Sequence, residues 1–198
     1  MTPKYTFDDC TAIILAGGTA SRMGRDKRFL KIGSENLLEH HVRVLSKHFS
    51  AVMISANDSE KLKRFGLPII RDEHPGRGPL EGLTSALAAS ETERNFVVAI
   101  DIPRIDLKLL QGMWKKVHQT SVVVPVTVDG NLEPLYAFYE KSCVPTFRRL
   151  IREGELAIYR ALSQCSVFHY PLSGHVKLSN LNRPEDYASY LESKNDAE

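Results

Sequence analysis

The 198-residue sequence has few cysteines, almost no charge imbalance and no long apolar run. Its three cysteines, Cys10, Cys143 and Cys165, are odd in number and lack metal-ligand spacing, which is typical of thiols in a reducing compartment. The 26 basic and 24 acidic residues give a formal charge of +2, which argues against nucleic-acid or anionic-membrane binding. No segment approaches membrane-spanning length, and the N-terminus lacks the apolar core of a signal peptide. We therefore expect a cytoplasmic protein without nucleic-acid or membrane partners.

Short apolar runs alternate with helical patterns in the first half of the chain. The runs TAIIL, SAVMISA, LPIIR and NFVVAID are rich in β-branched residues and predict strands buried on both faces. The segments ENLLEHHVRVLSKHF and LEGLTSALAAS between them predict helices. This alternation predicts a three-layer α/β/α fold with a mostly parallel sheet. We expect one domain over residues 1–198, with flexible ends at 1–10 and 194–198.

The second half of the sequence has a different character. SVVVPVTV, then Asp129-Gly130, then NLEPLYAFY predict a β-hairpin inserted in the sheet, with a type I′ turn. Two helices follow, around CVPTFRRLIRE and ELAIYRALSQ, with Gly154 as the cap between them. A strand near SVFHYP and a last helix, PEDYASYLES, complete the predicted domain.

A glycine-rich, basic loop follows the first predicted strand. Open α/β sheets bind ligands beyond the carboxyl ends of their strands, which is where this loop lies. Gly17 and Gly18 allow a sharp turn and a close approach of the backbone to a ligand. Four cationic residues that suit a polyphosphate cluster after them: Arg22, Arg25, Lys27 and Arg28. A plain turn with a solvated basic face is the alternative, and the loop matches neither a Walker A sequence nor GxGxxG.

The residues from Leu15 to Lys27, LAGGTASRMGRDK, resemble the LAGGxSxRMGxDK signature of the molybdenum cofactor guanylyltransferase (MobA) family. Ala20 departs from the signature, because the family has Ser at that position. The resemblance implies a Rossmann-like fold of the GT-A type, in which Lys27 and the backbone of residues 16–18 hold phosphates. It also implies that Arg22 assists the departing pyrophosphate.

Further segments resemble the same family in the same order. DEHPGRGPLEGL, from Asp72 to Leu83, resembles its base-pocket loop, although an ordinary strand-to-helix connection is the alternative. Asn57 matches a nucleotide-site residue, whereas local sequence alone favours a helix cap for DSEKLKRF. The resemblance assigns the nucleotide to the following residues: Leu15, Ala16, Gly17, Gly18, Lys27, Asn57, Asp72, Gly78, Pro79, Leu80 and Asp101.

Two segments supply the remaining candidates. Asp101 ends the strand NFVVAID, and in the family the matching Asp binds Mg²⁺; its alternative role as a helix cap suits Asp106 better. NLNRPEDY resembles a family segment that implies Asn180 and Asn182 on the acceptor side. Since Arg183 replaces the family's Thr, Asn182 could instead cap the last helix.

The resemblance implies a GTP-dependent guanylyltransferase with Mg²⁺ as cofactor. Lys27, Arg22 and Asp101 are its implied catalytic residues, and the molybdenum cofactor (molybdopterin) is the implied acceptor. Transient contact with molybdoenzymes or their chaperones would follow. GELAIYRAL departs from the family's usual segment, so the acceptor is less specified than the nucleotide. Two alternatives stay open: another nucleotidyltransferase, using CTP or acting on a sugar phosphate or phospholactate, and a cofactor carrier without catalysis.

Overall fold

Strands and helices alternate along the chain in the computed structural model, which describes residues 5–17, 26–173 and 178–195. The strands are β1 (Phe7–Leu15), β2 (Lys31–Ile32), β3 (Glu35–Asn36), β4 (Phe49–Ser55), β5 (Ile69–Ile70), β6 (Arg94–Ala99), β7 (Val122–Val126), β8 (Tyr136–Glu140) and β9 (Val167–Pro171). The α-helices are α1 (Leu37–Leu45), α2 (Gly78–Ala89), α3 (Leu107–Trp114), α4 (Val144–Arg152), α5 (Ile158–Leu162) and α6 (Pro184–Asn195). Short 3₁₀ turns include Lys27–Phe29 and Glu60–Phe65.

Seven of these strands form one sheet in the order β5-β4-β1-β6-β8-β7-β9. Only β8 runs against its neighbours in this sheet, because β1, β4, β5 and β6 pair in parallel and β7 pairs in parallel with β9. The chain moves outward from β1 to β4 and β5, and then returns to place β6 on the other side of β1. Such a reversal leaves a crevice at the carboxyl ends of the two central strands.

Two apolar clusters cover the two faces of the sheet. One packs α1 and α3 against residues such as Ile14 and Phe96. The other packs α2, α4 and α5 against residues such as Ile13 and Val97. Neighbouring residues of one strand therefore point to opposite clusters, as the pleat of a strand buried on both faces requires. The predicted three-layer arrangement with a mostly parallel sheet is confirmed, while its limitation to one domain stays a prediction.

The helix ends follow from local chemistry. Asp106 caps α3 by accepting from the backbone N–H groups of Lys108 and Leu109, as predicted. Gly154 has a φ of 86°, and it ends α4 in the left-handed conformation that favours glycine. The backbone N–H of Glu155 donates to the Leu150 carbonyl, which closes the cap. Both signals could be read directly from the sequence.

The hairpin of β7 and β8 has a turn that differs from the predicted type I′. A type I′ turn needs positive φ at both central residues, and Gly130 has a φ of 82°. Asp129, however, is absent from the positive-φ residues of the described chain. The Gly130 N–H donates to the Thr127 carbonyl at 2.9 Å, so Gly130 is the last residue of its turn.

The N-terminal segment also differs from its prediction. Residues 7–10 belong to β1, although flexibility was expected over 1–10. The Phe7 ring is 1% exposed and stacks on Phe49, with centroids 4.6 Å apart. Trp114 packs edge-on against the same ring. Burial of an aromatic ring stabilises this part of the chain, so the strand begins four residues before Thr11, where the apolar run begins.

Among the helices of the described residues, none has the length and apolarity that a membrane crossing requires.

Candidate active site

The predicted site residues follow strands whose carboxyl ends are level with one another. Leu15 of β1 pairs with Ser55 of β4 and with Ala99 of β6. Ser55 in turn pairs with Ile70 of β5. Parallel register therefore brings the segments after all four strands to one edge of the sheet. Ala16, Asn57, Asp72 and Asp101 all lie just beyond this edge.

Lys27, Asp101 and Asn182 meet at this edge from distant parts of the sequence. The Lys27 ammonium donates to Asp101 Oδ2 at 3.1 Å and to Asn182 Oδ1 at 2.9 Å. Both members of the ion pair are partly exposed, at 22% for Lys27 and 24% for Asp101. The Leu181 backbone N–H donates to the Asp101 carbonyl and holds the last segment in place. The arrangement joins a cationic donor, a carboxylate and a neutral oxygen at the crevice.

Asp26 and Arg28, which flank Lys27, serve the local fold. Asp26 caps the 3₁₀ turn by accepting from the Arg28 backbone N–H, and Arg28 Nη2 donates to its Oδ2 at 2.6 Å. These bonds from Arg28 hold the pKa of Asp26 below its ordinary value. Arg28 was grouped with the phosphate-binding cations, but its guanidinium is committed to Asp26 and approaches Asp58. Lys27 is thereby directed toward the crevice.

The remainder of the glycine-rich loop is described only in part. Gly18 and Arg22 lie outside the described residues, so their predicted roles stay predictions. Gly17 is described, and its φ lies outside the left-handed region. A Cβ at this position would meet no atom of the described residues within 4 Å. Neither the backbone conformation nor the described neighbours therefore require a glycine at position 17.

Asn57 and Asp72 bind each other through two hydrogen bonds. Asn57 Nδ2 donates to Asp72 Oδ2 at 2.8 Å, and the Asp72 backbone N–H donates to Asn57 Oδ1 at 3.0 Å. The helix-cap interpretation of Asn57 is wrong, because the cap residue of the Glu60–Phe65 turn is Ser59, without a side-chain bond. The Asn57 side chain, which local sequence assigns to a helix cap, is instead bonded to Asp72. Two predicted nucleotide residues are thus brought together.

The loop before α2 turns sharply into the helix. Gly76 and Gly78 have φ values of 90° and 73°, and Pro79 lies in the first turn. Gly78 and Pro79 are exposed, whereas Leu80 is fully buried in the core cluster beneath α2. The Leu80 side chain therefore faces away from the crevice, which leaves only its backbone for the predicted ligand contact. Leu15 is likewise buried, and its carbonyl accepts from Ile100.

The segment before α6 contains the two asparagines assigned to the acceptor side, and they make different contacts. Asn182 binds Lys27, and Asp186 instead accepts from the backbone N–H groups of Asn182 and Arg183. The expected capping of α6 by Asn182 is not what the structure shows, since the Asn182 side-chain oxygen accepts from Lys27 and the contact with the first turn of α6 is made by its backbone N–H to Asp186. Asn180 is exposed, and its backbone carbonyl accepts from the Asn182 N–H.

His41 is a buried residue of α1 near the site, and it is not singled out by the sequence. Its ring nitrogens face the Leu37 carbonyl at 2.8 Å and the Ile102 carbonyl at 2.9 Å. Burial lowers the pKa of His41 to about 4, so the ring is neutral at pH 7. A neutral ring has one N–H and donates to one of these two carbonyls at a time, so His41 lies between α1 and the residue after Asp101 with a bond to one or the other. No sequence motif marks this role, because a helical histidine among leucines is equally consistent with packing.

A crevice at the switch point of a parallel sheet is where open α/β proteins bind their ligands, and here a lysine and an aspartate form an ion pair beside it. A profile of the MobA-like NTP transferase domain matches residues 12–166. The chain belongs to this family, and it is a nucleotidyltransferase.

Individual relatives agree with this assignment. A Carboxydothermus hydrogenoformans protein named "Probable molybdenum cofactor guanylyltransferase" is 30% identical over 91% of this chain and 94% of its own length. The solved structure of molybdopterin-guanine dinucleotide biosynthesis protein A from Archaeoglobus fulgidus has a TM-score of 0.80 at 24% identity, covering 94% of this chain and 99% of its own. A Mycobacterium tuberculosis protein solved with manganese has a TM-score of 0.69 at 18% identity, covering 93% and 98%. The latter two support the fold.

Proposed function

We propose that this protein transfers GMP from GTP to the molybdenum cofactor, with release of pyrophosphate and formation of molybdopterin guanine dinucleotide. The observation that carries the proposal is the meeting of Lys27, Asp101 and Asn182 at the switch-point crevice. The name of the Carboxydothermus hydrogenoformans relative supports this choice of substrates.

Phosphate binding is assigned to the loop after β1 and to Lys27. The exposed part of the Lys27 ammonium lies at the carboxyl edge of the sheet, where a triphosphate would meet it. Gly17, which the described fold does not require as glycine, leaves the backbone open to a close ligand. Ala16, Gly18 and Arg22 complete the phosphate site in this proposal, with Arg22 on the departing pyrophosphate.

Asp101 is assigned as the Mg²⁺ ligand. The ligand atoms at this point fit a hard cation, because they are oxygens. The side-chain oxygens of Asp101 and Asn182 both accept from one cationic group, the Lys27 ammonium. When nucleotide and metal bind, Lys27 would exchange its bond to Asp101 for a bond to a phosphate. When bound, Mg²⁺ would neutralise charge on the phosphate oxygens.

The base is assigned to the side of the crevice formed by Asn57, Asp72 and the loop of Gly78 and Pro79. The hydrogen bonds between Asn57 and Asp72 fix the direction of both side chains, and ordered polar groups discriminate well between bases. A Cβ at Gly82 would lie 3.2 Å from Asp72 Oδ1, so the small residue allows α2 to approach this pair. Guanine is the proposed base.

The reaction itself is an attack by a phosphate oxygen of the acceptor on the α-phosphorus of GTP, with pyrophosphate as the leaving group. No general base is needed, because the acceptor phosphate is ionised at neutral pH. The protein aligns two anions and offsets their charge, chiefly through Lys27. Asn180 and Asn182 are assigned to the acceptor side. A cytoplasmic location and transient contact with molybdoenzymes or their chaperones stay predictions.

Product analysis tests the proposal. The protein is incubated with Mg²⁺, molybdenum cofactor and each of the four triphosphates, and the products are identified by mass. We expect the guanine dinucleotide from GTP. Formation of the cytosine dinucleotide alone would reject the guanine assignment, and absence of any product in every reaction would reject catalysis in favour of a carrier.

A further inference from the structure

A cavity of about 330 Å³, to which several charged residues contribute, lies on the face of the sheet that carries α2 and α4. The loop after β5 contributes Glu73 and His74 to its wall, α2 contributes Glu81, and α4 contributes Arg148. None of these residues belongs to the Lys27 and Asp101 site. The cavity therefore needs its own explanation.

Glu81 is the unusual member of this cavity. Its side chain is only 3% exposed. One carboxylate oxygen, Oε1, accepts from the His74 backbone N–H at 3.1 Å and from the Ser85 hydroxyl at 3.3 Å. The other oxygen, Oε2, is buried and has no hydrogen-bond partner among the residues that the structure describes. A buried, unpaired carboxylate oxygen is costly, and a bound ion is one of the standard ways to satisfy it.

His74 and Glu73 place further ligand atoms beside the Glu81 carboxylate. One carboxylate oxygen from each of Glu73 and Glu81 and a ring nitrogen of His74 all lie within 4.8 Å of one another. His74 Nδ1 is 3.4 Å from Glu81 Oε1. The side chains of Glu73 and His74 are 42% and 58% exposed, so both can move inward to the separations of a metal site. We propose that Glu73, His74 and Glu81 bind a divalent transition-metal ion of the Zn²⁺ class.

The ligand chemistry selects the class of ion. Two carboxylates and one imidazole, with a place for water, form a three-residue Zn²⁺-type site. Mg²⁺ and Ca²⁺ prefer oxygen ligands throughout, which the imidazole of His74 does not supply. The site is therefore chemically distinct from the oxygen donors at Asp101.

The arginines around the cavity offer an alternative, namely that the cavity binds an anion. Arg148 forms an ion pair with Glu73, and Arg77 and Arg152 also line the cavity. An anion would be repelled by Glu81 and would leave its Oε2 unsatisfied, whereas a cation satisfies it. The Glu73–Arg148 pair is half exposed and weak enough for a metal ion to displace Arg148. A bound cation would join the loop after β5 to the first turns of α2.

The test is metal binding by the full-length protein without nucleotide. Zn²⁺ is titrated calorimetrically, and Co²⁺ is followed by its visible absorption, in an Asp101→Asn background that removes the other metal ligand. We expect one tightly bound ion in this background. His74→Gln should weaken binding by roughly tenfold or more, and Glu81→Gln should do the same, while His169→Gln on the exposed surface of β9 should have no effect. Zn²⁺ should raise the melting temperature, but not in His74→Gln.

Equal Zn²⁺ affinity in the parent and His74→Gln would overturn the site, as would loss of all binding in Asp101→Asn alone. Tighter binding of inorganic phosphate in Glu81→Gln, without any binding of Zn²⁺ by the parent, would show an anion site instead. His74 is exposed and its replacement keeps the fold, so the result does not depend on whether Glu81→Gln folds. None of these measurements requires GTP turnover, so the proposed function and this site are tested separately.

Discussion

Lys27 and Asp101 are 74 positions apart in the chain and form an ion pair at the edge of the sheet. Such a partly exposed pair contributes little to folding, on the order of 1 kcal/mol at most. Asn182 accepts a second bond from the same ammonium. So small a gain in stability is consistent with the proposal that these three residues serve ligand binding.

Asp101→Asn should lower Mg²⁺-dependent turnover by roughly a hundredfold or more, because a bound metal supplies several kcal/mol of charge stabilisation. Asn keeps the shape and an oxygen that accepts from Lys27. Pyrophosphate release measured against Mg²⁺ concentration gives the answer. Asp106→Asn is the matched control, since Asn still caps α3 and activity should be near that of the parent. Superimposable curves for Asp101→Asn and the parent would remove Asp101 as the metal ligand.

Lys27→Ala should weaken GTP binding by about 1.5–3 kcal/mol, which is the contribution of a charge-assisted bond. The free energy of unfolding should change by no more than about 1 kcal/mol. Binding is measured by calorimetry and stability by urea denaturation. Lys31→Ala, which removes an exposed lysine from β2, should leave GTP affinity unchanged. If both variants bind GTP equally well, Lys27 has no role at the phosphates.

At the scale of elements, the loops at the carboxyl edge differ in what the fold requires of them. Gly78 has a φ of 73°, in the region that favours glycine, and Gly17 does not. Gly78→Ala should therefore destabilise the protein by about 1–2 kcal/mol, the cost of a left-handed alanine. Gly17→Ala should leave unfolding unchanged and yet weaken GTP binding. Equal losses of stability in both variants would show that Gly17 is structural.

The junction of α1 with the segment after β6 predicts a pH dependence. The folded pKa of His41 is about 4, below its ordinary value of 6.5, so the unfolded chain takes up the proton first. Stability should fall as the pH drops from 6.5 toward 4, by about 2 kcal/mol at pH 5. His41→Leu should be less stable at pH 7 but lose less between pH 7 and pH 5. Parallel stability curves for the two proteins would contradict a buried, neutral His41.

At the scale of the whole molecule, the strand pattern was sufficient to predict the sheet, because β-branched runs buried on both faces carry a strong signal. The ribbon of β2 and β3 has only two residues in each strand, and so short a pairing leaves no period to detect. Lys27 and Asp101 could be placed at one edge in advance, since parallel strands align their carboxyl ends.

The two errors in helix capping have a common physical cause. Asn57 and Asn182 both precede helical turns, so their local sequence favours capping. Asp72 and Lys27 compete for them from distant positions, and those tertiary hydrogen bonds prevail. The partner of His41, the Ile102 carbonyl, is likewise 61 positions away. Contacts of this kind depend on the packed fold and leave no local pattern.

The base preference of the intact protein tests the central claim most directly. Purified protein, Mg²⁺ and molybdenum cofactor are mixed with equal concentrations of GTP, CTP, ATP and UTP, and the dinucleotide products are resolved by mass spectrometry. The account predicts the guanine dinucleotide as the dominant product, with one pyrophosphate released for each molecule formed. A product mixture that follows the nucleotide concentrations without preference, or nucleotide binding with no pyrophosphate released, would contradict it.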